Sequence, residues 1–545
     1  MKQLANKIVY ELYPSSFYDS NGDGIGDLGG IITKLGYLAT LGIDLIWITP
    51  IFKSPKNDNG YDISNYYEID PSFGTLEDVE KLISEAKKHQ IGIMFDMVFN
   101  HVSTSSKWFE KALQGDQKYQ DYFYIIKSDD LKNPPNNWVS KFGGSAWKYQ
   151  PEFQGYYLHL FDVSQADLNW NNPQVRQELT NVVNFWINKG IAGFRFDVIN
   201  LIGKPDQLID SDDFGKSLYT DHPKVHQFLK ELNQNSFGQF DNLITVGEMS
   251  STTIANAIKY SNPDEKELDM IFSFHHLKVD YQDGQKWFNQ PWDKKMFKNL
   301  IQEWQVKLDQ KGHNAIFLNN HDQPRVNSRY GDVKNHWFAS STVFAMMMFF
   351  LQGTVFIYQG EEIGMTNPDY QNIDQYRDVE SINAFEILKA KGWSEVKIID
   401  ALMVKSRDNS RSPMQWNNLE YAGFSKVKPW IDVAKNYQDI NVEKQINDPN
   451  SVFNFYKKLI QIRKTNLAAI NGSIDFINAN ENLMIFQRTY QKQKLMIYLN
   501  LSNQEQNCDL SQFNDKQILI NNYQDFDKMK LKPFQAIVFE INNEK

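Results

Sequence analysis

The sequence predicts an α/β protein built on a (β/α)8 barrel, with a subdomain inserted after the third strand and a C-terminal antiparallel β-domain. Three observations carry this. Short apolar runs recur eight times and alternate with helix-like stretches. Many of those runs end in acidic or histidine residues. Beyond Arg463 the alternation gives way to short strands with polar turns.

Residues 9–17 read as the first strand and 43–49, ending at Pro50, as the second. Residues 75–90 read as a helix, because Leu76, Val79, Leu82, Ile83 and Ala86 fall on one face. Thr75 caps it, with Asp78 three residues on. Residues 91–98 form the third strand. Residues 103–171 break the rhythm: they are rich in Trp, Asn and Gly, contain Pro134-Pro135, and lack long helical periodicity. They read as the insertion. Asn172-Pro173 then restarts helix periodicity, cap followed by first-turn proline, and Gly190 ends it. Val175, Leu179, Val182, Val183, Trp186 and Ile187 form its apolar stripe.

The remaining strands read at 191–198, 243–246, 268–274, 315–318 and 355–358. A long excursion, 364–448, follows the eighth. The C-terminal strands read at 483–490, 494–501 and 535–539. The expected domains are barrel at 1–102 and 172–468, insertion at 103–171, and a C-terminal β-sandwich at 469–545.

A formal net charge of -10 argues against a general nucleic-acid or membrane-surface binder. Cys508 is the single cysteine, so no internal disulfide forms and a reducing, cytoplasmic setting is expected. The first seven residues carry no signal-like apolar core. The apolar run 343–351 is far shorter than the roughly 20 residues of a membrane span.

The chemistry centres on Gly193-Phe194-Arg195-Phe196-Asp197. Arg195 and Asp197, two apart on one strand, share a face. Either they form a structural ion pair, or the arginine keeps an attacking carboxylate ionised. The other strand ends decide between these. In a barrel all of them open on one mouth, which would gather Asp96, His101, Arg195, Asp197, Glu248, His275, His321 and Asp322. Three carboxylates there, Asp197, Glu248 and Asp322, fit acid–base work on a glycosidic bond. Asp197 is expected to be ionised. Glu248, near that charge, is expected to have a raised pKa.

Earlier in the chain, Asp19-Ser20-Asn21-Gly22-Asp23-Gly24-Ile25-Gly26-Asp27 reads as the first part of a calcium loop. Asp19, Asn21, Asp23 and Asp27 would converge on one ion, with the Ile25 carbonyl filling a gap. A plain Gly-Asp turn is the alternative, and the mutual repulsion of three aspartates favours the cation. No phosphate loop, dinucleotide fingerprint or catalytic zinc spacing is present, so no organic cofactor is expected.

Asp96-Met97-Val98-Phe99-Asn100-His101, Gly193 to Asp197, Glu248 and His321-Asp322 resemble, in order, the four signature regions of the α-amylase family of retaining glycosidases. The resemblance implies Asp197 as nucleophile, Glu248 as acid/base and Asp322 as transition-state stabiliser. It implies His101, Arg195 and His321 as contacts to the innermost glucose. The family's exo-acting α-glucosidase branch would add Asp62 and Arg407 as a pair closing the pocket, Tyr61 as a stacking ring, and calcium in the loop Asp19 to Asp27. Val198 resembles members that do not prefer α-1,4 links.

A finer likeness, in YYLHLFDVSQADLNW (156–170), GEMSSTT (247–253) and FSFHHLKVDY (272–281), is to the subfamily that hydrolyses trehalose 6-phosphate. It implies a phosphorylated disaccharide as substrate and a basic grip for its phosphate. Lys278 and Lys286, after the sixth strand, are the candidates, against the alternative of two solvated lysines. Hydrolysis of isomaltose-type sugars is the competing activity. A non-catalytic transporter-accessory barrel is a third reading, disfavoured because all three carboxylates are present. A monomer is expected.

Overall fold

The computed structural model describes residues 2–513 and 516–542. Eight parallel strands build the barrel: β1 (Ile8–Leu12), β2 (Leu45–Ile48), β3 (Gly92–Val98), β4 (Gly193–Asp197), β5 (Ile244–Glu248), β6 (Met270–Phe272), β7 (Ala315–Ile316) and β8 (Thr354–Tyr358). Their order in the sheet is β6-β5-β4-β3-β2-β1-β8-β7. First and last strands pair directly, Ile8 with Val355 through Glu11 with Tyr358, as a barrel requires. The first strand is shorter than expected: a 3-10 turn at Pro14–Ser16 follows it, where the proline cannot donate to a ladder.

The chain forms two compact units. One comprises Trp47–Lys87 and Gly92–Ser273; the other comprises Met1–Ile46, Lys88–Ile91 and Phe274–Lys545. In the first, β3 to β6 run side by side. Helix α3 (Pro173–Asn188) starts where the sequence places it, with the Asn172 side chain accepting from the Gln174 amide at 2.9 Å. It buries Val175, Leu179, Val182, Val183 and Trp186, while Ile187 is half-buried. Helix α2 (Leu76–Lys88) opens on a reciprocal cap. Asp78 accepts from the Thr75 amide at 2.9 Å, and Thr75 accepts from the Asp78 amide at 3.2 Å. Between β3 and α3 lies a three-stranded antiparallel sheet of Ile125–Lys127, Gly155–Leu158 and Trp147–Gln150. Trp138, Trp147, Tyr156 and Leu158 core it, against Val198 just beyond β4.

In the second unit, helix α4 (Trp337–Phe350) is buried from Ala339 to its end. The C-terminal sheet contains β9 (Ser473–Ile477), β10 (Leu483–Tyr490), β11 (Gln493–Asn500), β12 (Gln517–Asn521) and β13 (Ala536–Asn542). It is antiparallel in the order β9-β10-β11-β13-β12. It docks on α4 through buried polar contacts: Arg488 Nη1 donates to the Phe350 carbonyl at 2.7 Å, and Asn522 Nδ2 to Thr342 Oγ1 at 3.0 Å. Among the described residues, no helix is long and apolar enough to cross a membrane.

Candidate active site

Strand β4 alternates. Arg195 and Asp197 lie on one face, and Phe194 and Phe196 on the other. Phe196 packs against Phe99 and Phe237 with ring centroids 5.8 and 5.6 Å away. That apolar face fixes the strand's rotation and turns the charged pair inward. Gly193 allows the close approach to β5: a Cβ there would meet the Ile244 carbonyl oxygen at 2.5 Å. The register sets Arg195 opposite Asp96 on β3 and Val246 on β5, and Glu248 ends β5 two residues later.

The result is one buried guanidinium shared by three carboxylates. Arg195 Nη1 donates to Asp96 Oδ1 at 2.7 Å and to Asp197 Oδ1 at 2.6 Å, and Nη2 donates to Glu248. Asp96 is pinned further, since Trp47 Nε1 and Tyr61 Oη both donate to its Oδ2, at 3.1 and 3.0 Å. Burial pushes Asp96 up to about 6 against the pull of Arg195. Burial also raises Asp197 well above the usual carboxylate range. Arg195 opposes that rise, and Glu248 and Asp96 add to it. The expectation that Arg195 lowers the pKa of Asp197 is thereby corrected. One cation cannot offset burial and two like charges together.

The next residue, Val198, is left-handed at φ 33°, a conformation a β-branched residue rarely adopts. In it the Val198 amide donates to Glu248 Oε2 at 3.3 Å.

His101 follows β3. Its Nδ1 accepts from Asn100 Nδ2 at 3.2 Å, which leaves the proton on Nε2, 3.1 Å from the Tyr61 carbonyl. Burial pushes His101 down to about 4, so the ring is neutral. Behind it Lys204, wholly buried, lies 2.9 Å from Asp167 Oδ2 and donates to Asn100 Oδ1 at 3.2 Å. Asp62 Oδ2 accepts from the Asn57 amide at 2.9 Å, and its Oδ1 from Ser54 Oγ at 2.8 Å; burial raises its pKa to about 6.

The second unit carries the remaining candidates. His321 Nδ1 lies 2.5 Å from Glu11 Oε1, and its Nε2 lies 3.4 Å from Asp322 Oδ2. Arg411 Nη2 donates to Asp322 Oδ1 at 2.7 Å, and Arg407 Nη1 to the same oxygen at 3.4 Å. Both arginines also grip Asp378: Arg407 Nε donates to Asp378 Oδ1 at 2.8 Å, and Arg411 Nη1 at 3.4 Å. Burial alone would raise Asp378, but Arg407 and Arg411 pull it down to about 2. Lys286 lies 2.6 Å from Glu380, and Lys278 is exposed at the end of the turn His275–Leu277.

A model of the α-amylase catalytic domain matches residues 11–472. The chain belongs to the α-amylase family. The trehalose-6-phosphate hydrolase of Bacillus subtilis strain 168 is 46% identical, over 98% of this chain and 97% of its own. The oligo-1,6-glucosidase of Parageobacillus thermoglucosidasius is 42% identical, over 98% of each. The crystal structure of Bacillus licheniformis trehalose-6-phosphate hydrolase superposes with a TM-score of 0.94 at 46% identity, covering 99% of both chains.

In this α-amylase family member, the loop Asp19 to Asp27 presents oxygen donors, the type a hard cation takes. Its carboxylates accept N–H and O–H donors from their own surroundings. Asp19 accepts from the amides of Gly22 and Gly24 at 2.6 and 2.9 Å. Asp27 caps helix α1 (Leu28–Leu41) through the Gly30 amide at 2.7 Å. Asp23 accepts from the Ile25 amide at 2.8 Å. Among the described residues, no group of three or more His, Cys, Asp or Glu side chains is placed to hold a metal.

Sequence reading did not single out Glu11, Lys204, Asp378 or Arg411. Three of them left a trace. Glu11 is a charge inside the apolar strand IVYEL, and Lys204 follows Ile199-Asn200-Leu201-Ile202-Gly203. Arg411 stands four residues after Arg407, one helical turn away.

Proposed function

We propose that this chain is a retaining α-glucoside hydrolase that cleaves trehalose 6-phosphate to glucose and glucose 6-phosphate. The observation that carries the reading is full-length similarity, at 46% identity, to a protein named trehalose-6-phosphate hydrolase. Family motifs assign the roles. Asp197 attacks the anomeric carbon while Glu248 protonates the departing oxygen, leaving a glucosyl ester on Asp197. Glu248 then takes a proton from water, which attacks the same carbon and frees Asp197 with net retention. Asp322 stabilises the positive charge that develops on the sugar.

Asp197 and Glu248 hang from adjacent nitrogens of one guanidinium. That supports the short separation of a retaining pair, about 5–5.5 Å, over the wider gap of an inverting one. Asp96 keeps Arg195 in place. His101, Arg195, His321, Tyr61, Asp62 and Arg407 are read as contacts to the unphosphorylated glucose, and Lys278 and Lys286 as contacts to the phosphate. A phosphorylated substrate and a single cysteine favour a cytoplasmic enzyme, working as a monomer. Calcium in the loop Asp19 to Asp27 would be held by Asp19, Asn21, Asp23, Asp27 and the Ile25 carbonyl, and would brace the loop ahead of α1.

Oligo-1,6-glucosidase is the second reading, favoured by the relative at 42% identity. Side-by-side hydrolysis of trehalose 6-phosphate and isomaltose separates the two. A higher kcat/KM for trehalose 6-phosphate is expected; a higher value for isomaltose replaces the first reading with the second.

A further inference from the structure

We propose that Glu380 tempers the phosphate affinity of the site, as an internal carboxylate that holds Lys286 until the substrate's phosphate displaces it. The proposal rests on the reading of Lys286 as a phosphate ligand.

Glu380 stands in the first turn of helix α5 (Val379–Ala390). Its backbone is anchored, because the Asp378 side chain caps that helix through the Ser381 amide at 3.1 Å while also gripping Arg407. The Glu380 side chain reaches two cations. Its Oε2 lies 2.6 Å from Lys286 Nζ and 3.6 Å from Arg407 Nε, so one oxygen serves two cations.

Exposure distinguishes this pair from its neighbours. The side chains of Lys286 and Glu380 are 16% and 25% exposed, which lets an incoming anion reach them. The neighbouring Lys405 is instead locked to Asp280 at 2.5 Å, with both side chains below 5% exposure. Lys286 is thus the ammonium that can change partners. It is also aimed, since it lies 4.6 Å over the Trp287 ring.

A bare ammonium here would collect any small anion. A carboxylate already in place makes the newcomer compete, and only a doubly charged phosphate with a sugar bound beside it competes well. A neutral sugar has nothing to offer Lys286. Glu380 thereby lowers the affinity of Lys286 for phosphate, free or on the sugar, and leaves the binding of a neutral sugar unchanged.

The test uses the full chain and its Glu380→Gln, Lys286→Ala and doubly substituted forms. KM for trehalose 6-phosphate and for a neutral aryl α-glucoside is measured on each, with inhibition by inorganic phosphate. Glu380→Gln should lower the ratio of phosphorylated to neutral KM, and the Ki of phosphate, by roughly three- to five-fold, the size of a partly exposed ion pair. In the double variant that gain should vanish. If Lys286→Ala is selective but Glu380→Gln moves neither quantity, or raises both, Glu380 has no such role. If Lys286→Ala affects both substrates equally, the phosphate reading of Lys286 itself falls. Glu380→Asp, which keeps the charge but withdraws it, should move both quantities in the same direction by less; movement the other way overturns the proposal even if the Gln form does not fold.

Discussion

Asp197 and Asp378 are both buried, and both accept a hydrogen bond from an arginine, yet they behave in opposite ways. Asp197 is raised and Asp378 is lowered to about 2. Burial pushes both up; the count of charges around them decides the outcome. Asp197 shares Arg195 with Asp96 and Glu248, three carboxylates to one cation. Asp378 and Asp322 share Arg407 and Arg411, and Glu380, 3.6 Å from Arg407, has Lys286 as a further partner: three cations to three carboxylates. A cluster short of positive charge leaves Asp96 and Asp197 raised. A balanced cluster keeps its charges fixed, which suits holding Asp322 in one orientation. The same residue types thus yield a chemical device in one unit and a rigid frame in the other.

The largest effect should come from the three-carboxylate cluster. Asp197→Asn should cut kcat by about 10⁴-fold or more while the fold, followed by circular dichroism, persists. Activity within tenfold of the parent would remove Asp197 as nucleophile. In the balanced cluster the loss should fall on stability instead. Asp378→Asn leaves Arg407 and Arg411 short of a partner and should cost about 3–5 kcal/mol in urea unfolding. A loss under 1 kcal/mol would show that the arginines find other acceptors and that the frame is not held by Asp378.

Three histidines extend the contrast to groups that carry no charge. His101, His276 and His313 are each pushed down by burial to about 4. The unfolded chain binds protons at these positions below about pH 6.5, while the folded chain binds them only near pH 4. Their contribution is therefore complete above pH 6.5 and lost as pH falls from there towards 4. Each is worth at most about 3 kcal/mol. Urea midpoints should drop across that window, and His276→Gln should flatten the drop; an equal drop would assign it to other groups. Calcium should have the smallest effect. Adding it after chelation should raise Tm by a few degrees, about 1–2 kcal/mol, and no shift would leave Asp19 to Asp27 as a plain hydrogen-bonded turn.

Much of the fold was legible because its signals are local. Asn172-Pro173 marked a helix start, Thr75 with Asp78 marked another, and the alternation of β4 announced which side chains turn inward. Asp197 and Glu248 could be named because they end strands. The partner sets were not legible. Nothing near Asp197 in the sequence says that Asp96 and Glu248 share its arginine, because that follows from strand register. The same holds for Glu11 on His321, 310 residues apart in the chain. Local pattern gave Asp197 one charged neighbour, register gave it three, and the sign of its shift turned on that difference.

The assignment of Asp197 as the attacking group is open to direct capture. A fluorinated α-glucosyl fluoride slows release of the covalent intermediate, and peptide mass spectrometry then locates the sugar. One glucosyl adduct per chain, on the peptide Gly193 to Asp197 and absent from Asp197→Asn, is the expected result. An adduct on another carboxylate, or turnover with inversion and no adduct, would contradict it.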